Sequence, residues 1–309
     1  MTIGVELNMS DIPRSHLGGN GFNWESLNRP AGMPLITIIT STFNAKEELP
    51  WTIASIRAQR YPYLQWIIAD GGSTDGTLSI LQDNSDIVNF WFSEKDEGIY
   101  DAWNKALKYA RGDWIQFLGA GDELADCNLF NKIHNTLHHA STAFDLVYGD
   151  VLLVTEDKRI AVKRIGEPWP SMKGQWETFR PKLPMHPGIF HHKSLFTTPP
   201  FFSPHYKIAG DSHFLLKSIL KNDPLYIPIL VDIMPTGGVS SSLAGSIKST
   251  REILKLNKEL GITPPLVHKI VELARFNFKI LVKVIVPVSR QKKLLILTKL
   301  LRSKLSHTR

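Results

Sequence analysis

The sequence predicts an α/β fold with a mostly parallel central sheet flanked by helices. Three observations lead to this prediction. Short, continuous apolar runs alternate along the chain with segments whose apolar residues recur at helical spacing. The runs are apolar throughout, as expected for strands that are buried on both faces. Polar residues follow where successive runs end, which is the position at which open parallel sheets bind ligands.

Strand and helix alternate regularly from residue 35 to residue 119. The predicted strands are 35–40, 64–69, 87–93 and 113–119. The predicted helices are 45–59, 77–82 and 98–110. Strands connected in this way form a parallel sheet with right-handed crossovers. We therefore expect the polar residues just beyond their carboxyl ends to converge on one edge: Thr42, Asp70, 93–96 and Asp122.

A different pattern begins after Phe144. Residues 144–165 are predicted to form strands joined in antiparallel fashion. A long loop rich in Pro, Trp and Lys follows at 166–187. Beyond the loop we expect a helix over 207–220, a strand over 225–233 and a second helix that begins near Ser246. These shifts divide the chain into three parts. A loosely ordered extension covers 1–33, and a main domain follows with two halves, 34–125 and 126–245. A basic amphipathic helical region covers 246–309.

The formal net charge of +7 is unevenly distributed. Residues 266–309 hold eleven Lys and Arg against one acid, Glu272, an excess of +10 that leaves −3 for the preceding chain. A mildly acidic body argues against nucleic-acid binding. The single cysteine, Cys127, excludes an internal disulfide framework and a multi-cysteine metal site. The first thirty residues lack the pattern of a secretory signal, so we expect a cytoplasmic protein.

The segment DGGSTDGT, from Asp70 to Thr77, closes the second predicted strand. A strand-to-helix turn explains the glycines, which permit positive φ, and the small polar residues, which can cap the next helix. Such a turn does not explain Asp70, which ends an apolar run at the ligand edge, and we interpret it as a hydrogen-bond acceptor for a ligand. The chain has no G-x-G-x-x-G after its first strand and no GK[ST], which argues against dinucleotide and P-loop sites.

Five blocks resemble family 2 glycosyltransferases, the inverting group with the GT-A fold that uses nucleotide-sugar donors. In chain order they are ITIITSTFNAKEEL, WIIADGGSTDGT, SEKDEGIYDAWNKAL, ARGDWIQFLGAGDEL and KIAGDSHFLLK. Each block alone is a weak signal, but their shared order is specific. The resemblance, which includes bacterial exopolysaccharide and colanic-acid-type sugar transferases, implies a GT-A domain with a nucleotide-binding half (34–125) and an acceptor half (126–245).

The resemblance also implies roles for individual residues. It gives a nucleotide-sugar pocket formed by Thr42, Phe43, Asn44 and Asp70, with further donor-site positions at Asp96, Asp101 and Asn104. Phe43 stands where the family usually has tyrosine. The last two donor-site positions are also compatible with solvated helix residues, because the same helix carries an apolar stripe.

Metal and base assignments follow from the same resemblance. Asp122 matches the last acid of the family's Asp-x-Asp or Asp-Asp signature, which implies a divalent metal, Mg²⁺ or Mn²⁺, whereas Gly121 replaces the earlier acid. A single carboxylate is compatible with these hard cations, which keep several waters and bind phosphate oxygens. Asp211 matches the acid that acts as general base, although a helix N-terminus alone would also favour an acid there. His186 matches an acceptor-side histidine, although a structural histidine is the simpler interpretation of its apolar surroundings.

The C-terminal segment 266–309 is apolar but interrupted by basic residues. Arg275, Lys279 and Lys283 recur every four residues, and a second basic amphipathic stretch follows at 290–304. No apolar run reaches the roughly 20 residues that span a bilayer. We expect association with the inner face of the cytoplasmic membrane, since interfacial helices have this pattern. Two helices packed on the main domain are the alternative.

Together these features predict a glycosyltransferase that moves a sugar with inversion from a UDP- or GDP-sugar donor to a glycan or lipid-linked acceptor, in cell-surface polysaccharide biosynthesis. Two alternatives stay open. Gly121 is compatible with a nucleotide-sugar-binding protein without catalytic activity. A sugar-phosphate nucleotidyltransferase would also be α/β with a metal held by carboxylates, although its Gly-rich basic signature is absent from the first strand's end, TSTFN.

Overall fold

The computed structural model describes residues 16–21, 28–158, 160–238 and 242–285. They fall into two compact units. The first comprises the described chain as far as Met172 together with Leu183–Pro235, and the second comprises Lys173–Lys182 and the described residues from Thr236 onward. The domain limits expected from the sequence, at 33, 125 and 245, do not coincide with these boundaries and stay predictions.

Strands and helices alternate through most of the first unit. The strands of the described residues are β1 Leu17–Gly18, β2 Ile36–Thr42, β3 Leu64–Asp70, β4 Phe90–Ser93, β5 Trp114–Phe117, β6 Glu123–Leu124, β7 Leu146–Val154, β8 Ala161–Ile165, β9 Trp176–Glu177, β10 Arg180–Pro181, β11 Ile189–His192 and β12 Leu225–Pro235. The helices are α1 Leu49–Arg57, α2 Thr77–Asp83, α3 Ile99–Leu107, α4 Leu129–Ala140, α5 Trp169–Met172, α6 Gly210–Ile219, α7 Leu243–Leu260 and α8 Leu266–Ile285.

The central sheet has the strand order β1-β4-β3-β2-β5-β11-β7-β12-β6, with β8 paired to β7. Strands β4, β3, β2 and β5 are parallel neighbours, and β7 is parallel to β12. Strand β11 runs antiparallel between β5 and β7. The predicted class, a mostly parallel sheet flanked by helices, is confirmed.

The inner strands are buried on both faces, which explains their continuous apolar sequence. In β2 and β3, alternate residues such as Ile36, Ile38, Trp66 and Ile68 pack into the same core cluster, each at most 1% exposed. Amphipathic helices α1 and α4 contribute to that cluster as well. The pairing brings Thr42, Asp70 and Ser93 level with one another at the carboxyl ends of three strands.

Helix α4 and the position of β11 were not predicted from the sequence. Helix α4 buries Leu129, Phe130, Ile133, Leu137 and Ala140 at helical spacing. Its pattern was weakened by Asn and His residues, which have low helix propensity. The antiparallel pairing predicted for 144–165 is present between β7 and β8.

The second unit contains a short hairpin and two long helices. Strands β9 and β10 form the hairpin. Ser242 caps α7 by accepting a hydrogen bond from the Gly245 amide at 3.0 Å, so the helix begins before the predicted Ser246. Among the described residues no helix is long and apolar enough to cross a membrane.

The two ends of the chain were predicted to carry an extension and a basic tail. Part of the extension belongs to the sheet, since Leu17–Gly18 pairs with β4. Residues 1–15 and 22–27 lie outside the described residues, as does the second basic stretch at 290–304.

Candidate active site

The candidate site lies along the carboxyl ends of the parallel strands. Asp70, which ends β3, lies beside Thr42 of β2 and Ser93 of β4. Strand β5 runs parallel to β2, and its continuation carries Asp122 beyond the sheet edge. The first residues of β11 reach the same edge, because this strand runs antiparallel beside β5. Segments far apart in the sequence therefore meet at one edge.

The Asp70 carboxylate is already saturated by hydrogen bonds. One oxygen accepts from the Thr42 hydroxyl at 2.8 Å, and the other accepts from the Ser93 hydroxyl at 2.6 Å. The backbone amides of Gly72 and Ser73 donate to the second oxygen as well, and the Ser73 hydroxyl donates to the first. The residue is 1% exposed. Asp70 thus holds the turn of DGGSTDGT, and its direct contact with a ligand stays a prediction.

Phe43 has an exposed side chain, whereas Asn44 is engaged in hydrogen bonds with the neighbouring loop. The Phe43 side chain is 66% exposed, which leaves the ring open to a planar ligand. Asn44 adopts a φ of +49°. The backbone amide of Asn44 donates to the Ser73 hydroxyl at 2.8 Å, and its side-chain oxygen accepts from the backbone amide of Thr74 at 2.9 Å. Asn44 therefore joins the two loops that follow β2 and β3.

Asp96 and Asp101 order the loop before α3. Asp96 accepts a hydrogen bond from the Gly98 amide at 2.8 Å. A Cβ atom at Gly71 would lie 2.6 Å from the Asp96 carboxylate, so only glycine fits there without a shift. Asp101 accepts from the Glu97 amide at 3.1 Å and pairs with Lys105. Both predicted donor-site acids therefore stabilise the loop itself.

Asn104 is held by two hydrogen bonds to one residue. Its side-chain amide donates to the Phe202 carbonyl at 2.8 Å, and its side-chain oxygen accepts from the Phe202 amide at 2.8 Å. This contact fastens α3 to the segment before α6. A direct donor contact by Asn104 stays a prediction, since both polar ends of its side chain are engaged.

Asp122 lies in a tight loop after β5. One carboxylate oxygen accepts from the Gly119 amide at 3.0 Å, and the Thr52 hydroxyl donates to the Asp122 carbonyl at 2.8 Å. Burial raises the pKa of Asp122 to about 6. Gly121 has a φ of +95°, and a Cβ atom there would lie 3.2 Å from the Glu48 Cβ. The glycine in place of the family's earlier acid therefore has a conformational reason.

A second buried acid next to Asp122 was not found by sequence reasoning. Asp232 of β12 is 0% exposed, and neither of its carboxylate oxygens has a hydrogen-bond partner among the described residues. Burial raises its pKa well above the ordinary value, and the charges of Asp122 and Glu123 add to the effect. The signal was an aspartate within the apolar run LYIPILVDIMP. Glu123 itself pairs with Lys158 at 2.6 Å.

Asp211, the predicted base, lies in the first turn of α6. The Tyr100 hydroxyl lies 3.2 Å from its carboxylate and 2.7 Å from the Ile208 carbonyl. Burial raises the pKa of Tyr100, so the phenol stays protonated and can donate. Lys207, four residues before Asp211, donates to the Glu97 carbonyl at 2.7 Å. The start of α6 is thus tied to the loop and first turn of α3.

His186 is neutral and packed among aromatic rings. Its imidazole stacks on Trp103 with a centroid distance of 5.1 Å and an angle of 12°. Burial lowers the pKa of His186 to about 3. Its Nε2 atom is buried without a partner among the described residues. Trp103 in turn lies 5.4 Å from Tyr100, so α3 connects the His186 side of the site with Asp211.

The described residues contain no group of three or more His, Cys, Asp or Glu side chains arranged to hold a metal ion. A protein-only cage of three or more such ligands is therefore absent from that part of the chain. Two buried acids, Asp122 and Asp232, lie in this region, and hard cations such as Mg²⁺ bind one or two protein carboxylates with phosphate oxygens and water as further ligands.

The fold is shared with solved glycosyltransferase structures. TarS of S. aureus in complex with UDP-GlcNAc superposes with a TM-score of 0.56 at 18% identity, covering 83% of this chain and 77% of that chain. The mannosyltransferase PcManGT of Pyrobaculum calidifontis, in complex with GDP-Man and Mn²⁺, gives a TM-score of 0.55 at 18% identity, with 80% and 71% covered. The first unit is thus a GT-A fold.

Sequence relatives have the same classification. An uncharacterized glycosyltransferase of Mycobacterium tuberculosis is 28% identical over 209 residues, which are 67% of this chain and 78% of the relative. A PGL/p-HBAD biosynthesis glycosyltransferase of Mycobacterium bovis is 26% identical over 237 residues, or 74% and 87%. The model of the family described as glycosyl transferase family 2 matches residues 37–207. The chain therefore belongs to glycosyl transferase family 2, as the motif resemblance predicted.

Proposed function

We propose that the protein transfers a sugar with inversion from a nucleoside-diphosphate-sugar to a hydroxyl of a glycan or lipid-linked acceptor. The observation that supports the proposal is the placement of three groups: the exposed ring of Phe43 after β2, the acid Asp122 after the parallel neighbour β5, and the acid Asp211 at the start of α6, which Tyr100 of α3 contacts. These groups match the three tasks of such a transfer, which are to bind a base, to neutralise a diphosphate and to accept a proton.

The donor is a UDP- or GDP-sugar in this proposal. The superposed structures bind UDP-GlcNAc and GDP-Man, and both donors present a planar base and a diphosphate. The exposed ring of Phe43 offers a stacking surface for the base. Thr42, Asn44 and Asp70 form the pocket wall through the hydrogen bonds that connect their loops. The donor-site residues of α3 and its loop, Asp96, Asp101 and Asn104, complete that wall.

Asp122 is the residue proposed to hold a divalent cation, Mg²⁺ or Mn²⁺. Its Oδ2 accepts a backbone hydrogen bond, whereas Oδ1 has no hydrogen-bond partner among the described residues. A bound cation would neutralise the charge that develops on the leaving diphosphate. The loop around Gly121 fixes the direction of the Asp122 side chain, since Thr52 bonds to both the Gly121 amide and the Asp122 carbonyl.

Asp211 is the proposed general base. In the transfer, a bond forms between the acceptor oxygen and the anomeric carbon, the bond from that carbon to the diphosphate breaks, and the hydroxyl proton moves to Asp211. The Tyr100 hydroxyl orients the carboxylate from one side. His186 lies on the acceptor side of this proposal, where its neutral ring can hydrogen-bond but cannot ion-pair with a phosphate.

A role in cell-surface polysaccharide biosynthesis at the inner face of the cytoplasmic membrane extends the proposal. Helix α8 exposes apolar residues in two adjacent rows: Leu266, Val267, Ile270, Val271, Leu273, Phe278 and Leu281. Two residues of the basic stripe expected on this helix have partners within the protein, since Arg275 pairs with Glu272 and Lys279 donates to Ser246 of α7. The exposed apolar rows support membrane contact, and the excess of basic residues over 266–309 adds attraction for anionic lipid.

The first experiment is calorimetric binding of UDP-, GDP- and dTDP-sugars, with and without Mn²⁺, to the wild type and to Asp122→Ala. We expect one donor to bind in a metal-dependent way and the variant to lose at least about tenfold in affinity for it. That donor then serves in a transfer assay with Asp211→Asn, which we expect to lose about 10² to 10⁴ in kcat while it still binds the donor. If no donor binds under any metal condition, the proposal is wrong. If donors bind without turnover, the non-catalytic binding protein is the better account.

A further inference from the structure

We propose that Asp232 is the second protein carboxylate of the divalent-cation site, facing Asp122 and supplying the acid that Gly121 does not. The inference rests on the proposed role of Asp122 in cation binding. It adds a ligand from β12, a strand about 110 residues further along the chain. No sequence motif near Asp122 points to this residue.

Strand pairing brings the two aspartates to the same place. Strands β12 and β6 are antiparallel neighbours, and Asp232 lies opposite Leu124. Residues opposite each other share one face of a sheet, and alternate residues along a strand share a face. Asp122 is the residue immediately before β6, so this pairing brings the two acids into the same neighbourhood. The electrostatic effect of Asp122 on Asp232 agrees with this placement.

The state of the Asp232 side chain indicates a ligand. The residue is 0% exposed, and both carboxylate oxygens lack a hydrogen-bond partner among the described residues. A buried, unpaired carboxyl group is destabilising, and nearly all buried polar groups in proteins are satisfied. A cation between Asp232 and Asp122 would satisfy the Asp232 oxygens and offset the two negative charges. Asp122, at 8% exposed, lies nearer the solvent than Asp232 does.

The backbone explains why the second acid comes from β12. An acid at position 121 would have to adopt the φ of +95° that Gly121 has, and its Cβ would lie 3.2 Å from the Glu48 Cβ. L-residues rarely adopt this conformation. Supplying the carboxylate from the neighbouring strand avoids the strain. Two carboxylates also match the preference of Mg²⁺ and Mn²⁺ for few protein ligands completed by phosphate and water.

Glu123 provides a matched control. It is adjacent to Asp122 in sequence and its charge also acts on Asp232, but its carboxylate pairs with Lys158 at 2.6 Å. Replacing Glu123 therefore removes one negative charge from the neighbourhood without removing a proposed ligand. A general effect of local charge would appear in Glu123→Gln, whereas ligation would be specific to Asp232.

The test measures Mn²⁺ binding by electron paramagnetic resonance, with UDP or GDP present, in the wild type, Asp122→Ala, Asp232→Asn, Asp232→Val and Glu123→Gln. The two replacements at position 232 ensure that one folding failure does not end the test. We expect both to lose at least about tenfold in Mn²⁺ affinity, with a much smaller loss in Glu123→Gln. Without metal, Asp232→Val should melt at or above the temperature of the wild type, because an apolar side chain replaces the unpaired buried carboxyl group, whereas Asp232→Asn keeps a buried polar group without a partner.

The outcomes separate this inference from the proposed function. If Asp122→Ala loses Mn²⁺ binding and both variants at position 232 keep it, Asp232 is no ligand and the proposed function stands. A loss in Glu123→Gln equal to that in Asp232→Asn would also overturn the inference, because local charge would then explain both. If the wild type binds no Mn²⁺ with either nucleotide, the cation role of Asp122 fails, and the inference fails with it.

Discussion

At the scale of single residues, burial decides the chemistry of His186. The imidazole is enclosed by Trp103 and Phe117, with centroid distances of 5.1 Å and 5.4 Å. Burial alone lowers the pKa of this histidine to about 3, without a contribution from a neighbouring charge. The ring is therefore neutral throughout the physiological range and acts through hydrogen bonds or stacking.

This depressed pKa gives a pH-dependent contribution to stability. Below the ordinary pKa of about 6.5 the unfolded chain binds a proton at His186 that the folded protein does not bind, so the unfolded state is favoured as pH falls toward 3. We expect the free energy of unfolding of the wild type, relative to His186→Gln, to drop by up to about 1.4 kcal/mol per pH unit in this window and to be constant above it. Urea denaturation at several pH values measures the difference.

His139→Gln is the control for this prediction, because it removes an exposed imidazole from α4. If the difference in unfolding free energy between the wild type and His139→Gln changes with pH as much as that between the wild type and His186→Gln, the explanation from burial is contradicted. A second buried histidine, His191, has its pKa lowered mainly by burial as well, so the comparison must be made one variant at a time.

At the scale of elements, α3 organises the site more than it contacts a donor. Tyr100 reaches Asp211, Trp103 stacks on His186, and Asn104 is bound to Phe202. Each contact joins the helix to a segment that is distant in sequence. Because the helix is held on several sides, the residues at its start are fixed relative to the sheet edge.

Asn104→Ala separates a structural role from a donor-binding role. The change leaves the amide and carbonyl of the buried Phe202 without their side-chain partner, and we expect the free energy of unfolding to fall by about 2 kcal/mol or more. Urea denaturation gives the value, and Lys108→Ala, one helical turn further along the chain, is the control. Unchanged stability together with weaker donor binding would show instead that Asn104 acts on the donor.

At the scale of the whole molecule, charge and apolar surface are concentrated toward the C-terminal end. The segment 266–309 carries an excess of +10, whereas the rest of the chain sums to −3. In the described part of that segment, α8 exposes apolar residues such as Val267, 75% exposed, and Leu266, 72% exposed. An apolar helix face next to positive charge is the combination that binds the surface of anionic bilayers.

Replacing three apolar residues of α8, in the triple variant Ile270→Ser, Leu273→Ser and Phe278→Ser, tests the membrane proposal. We expect at least about tenfold weaker binding to vesicles of phosphatidylcholine and phosphatidylglycerol, because less apolar area can be buried. Vesicle co-sedimentation measures the binding. Leu220→Ser is the control, since Leu220, the residue that follows α6, is 59% exposed. Equal binding of the triple variant and the wild type would contradict the proposal.

Most of the alternating part of the fold could be predicted because its signals are local. The strands and helices from Ile36 to Phe117 follow from runs and spacings a few residues long. Helix α4 was missed because its Asn and His residues obscured a regular burial pattern. The position of β11 between β5 and β7 could not be predicted, since it depends on pairing with segments about 74 and about 43 residues earlier in the chain.

The sequence by itself determined the fold class, the family and the edge of the sheet at which polar residues gather, because each depends on short patterns in chain order. Only the tertiary structure decided what those residues do. It showed that five hydrogen bonds already occupy Asp70, and that Asp232 lies unpaired next to Asp122. The physical reason is that hydrogen bonding and burial depend on neighbours in space, and strand pairing selects those neighbours from distant parts of the chain.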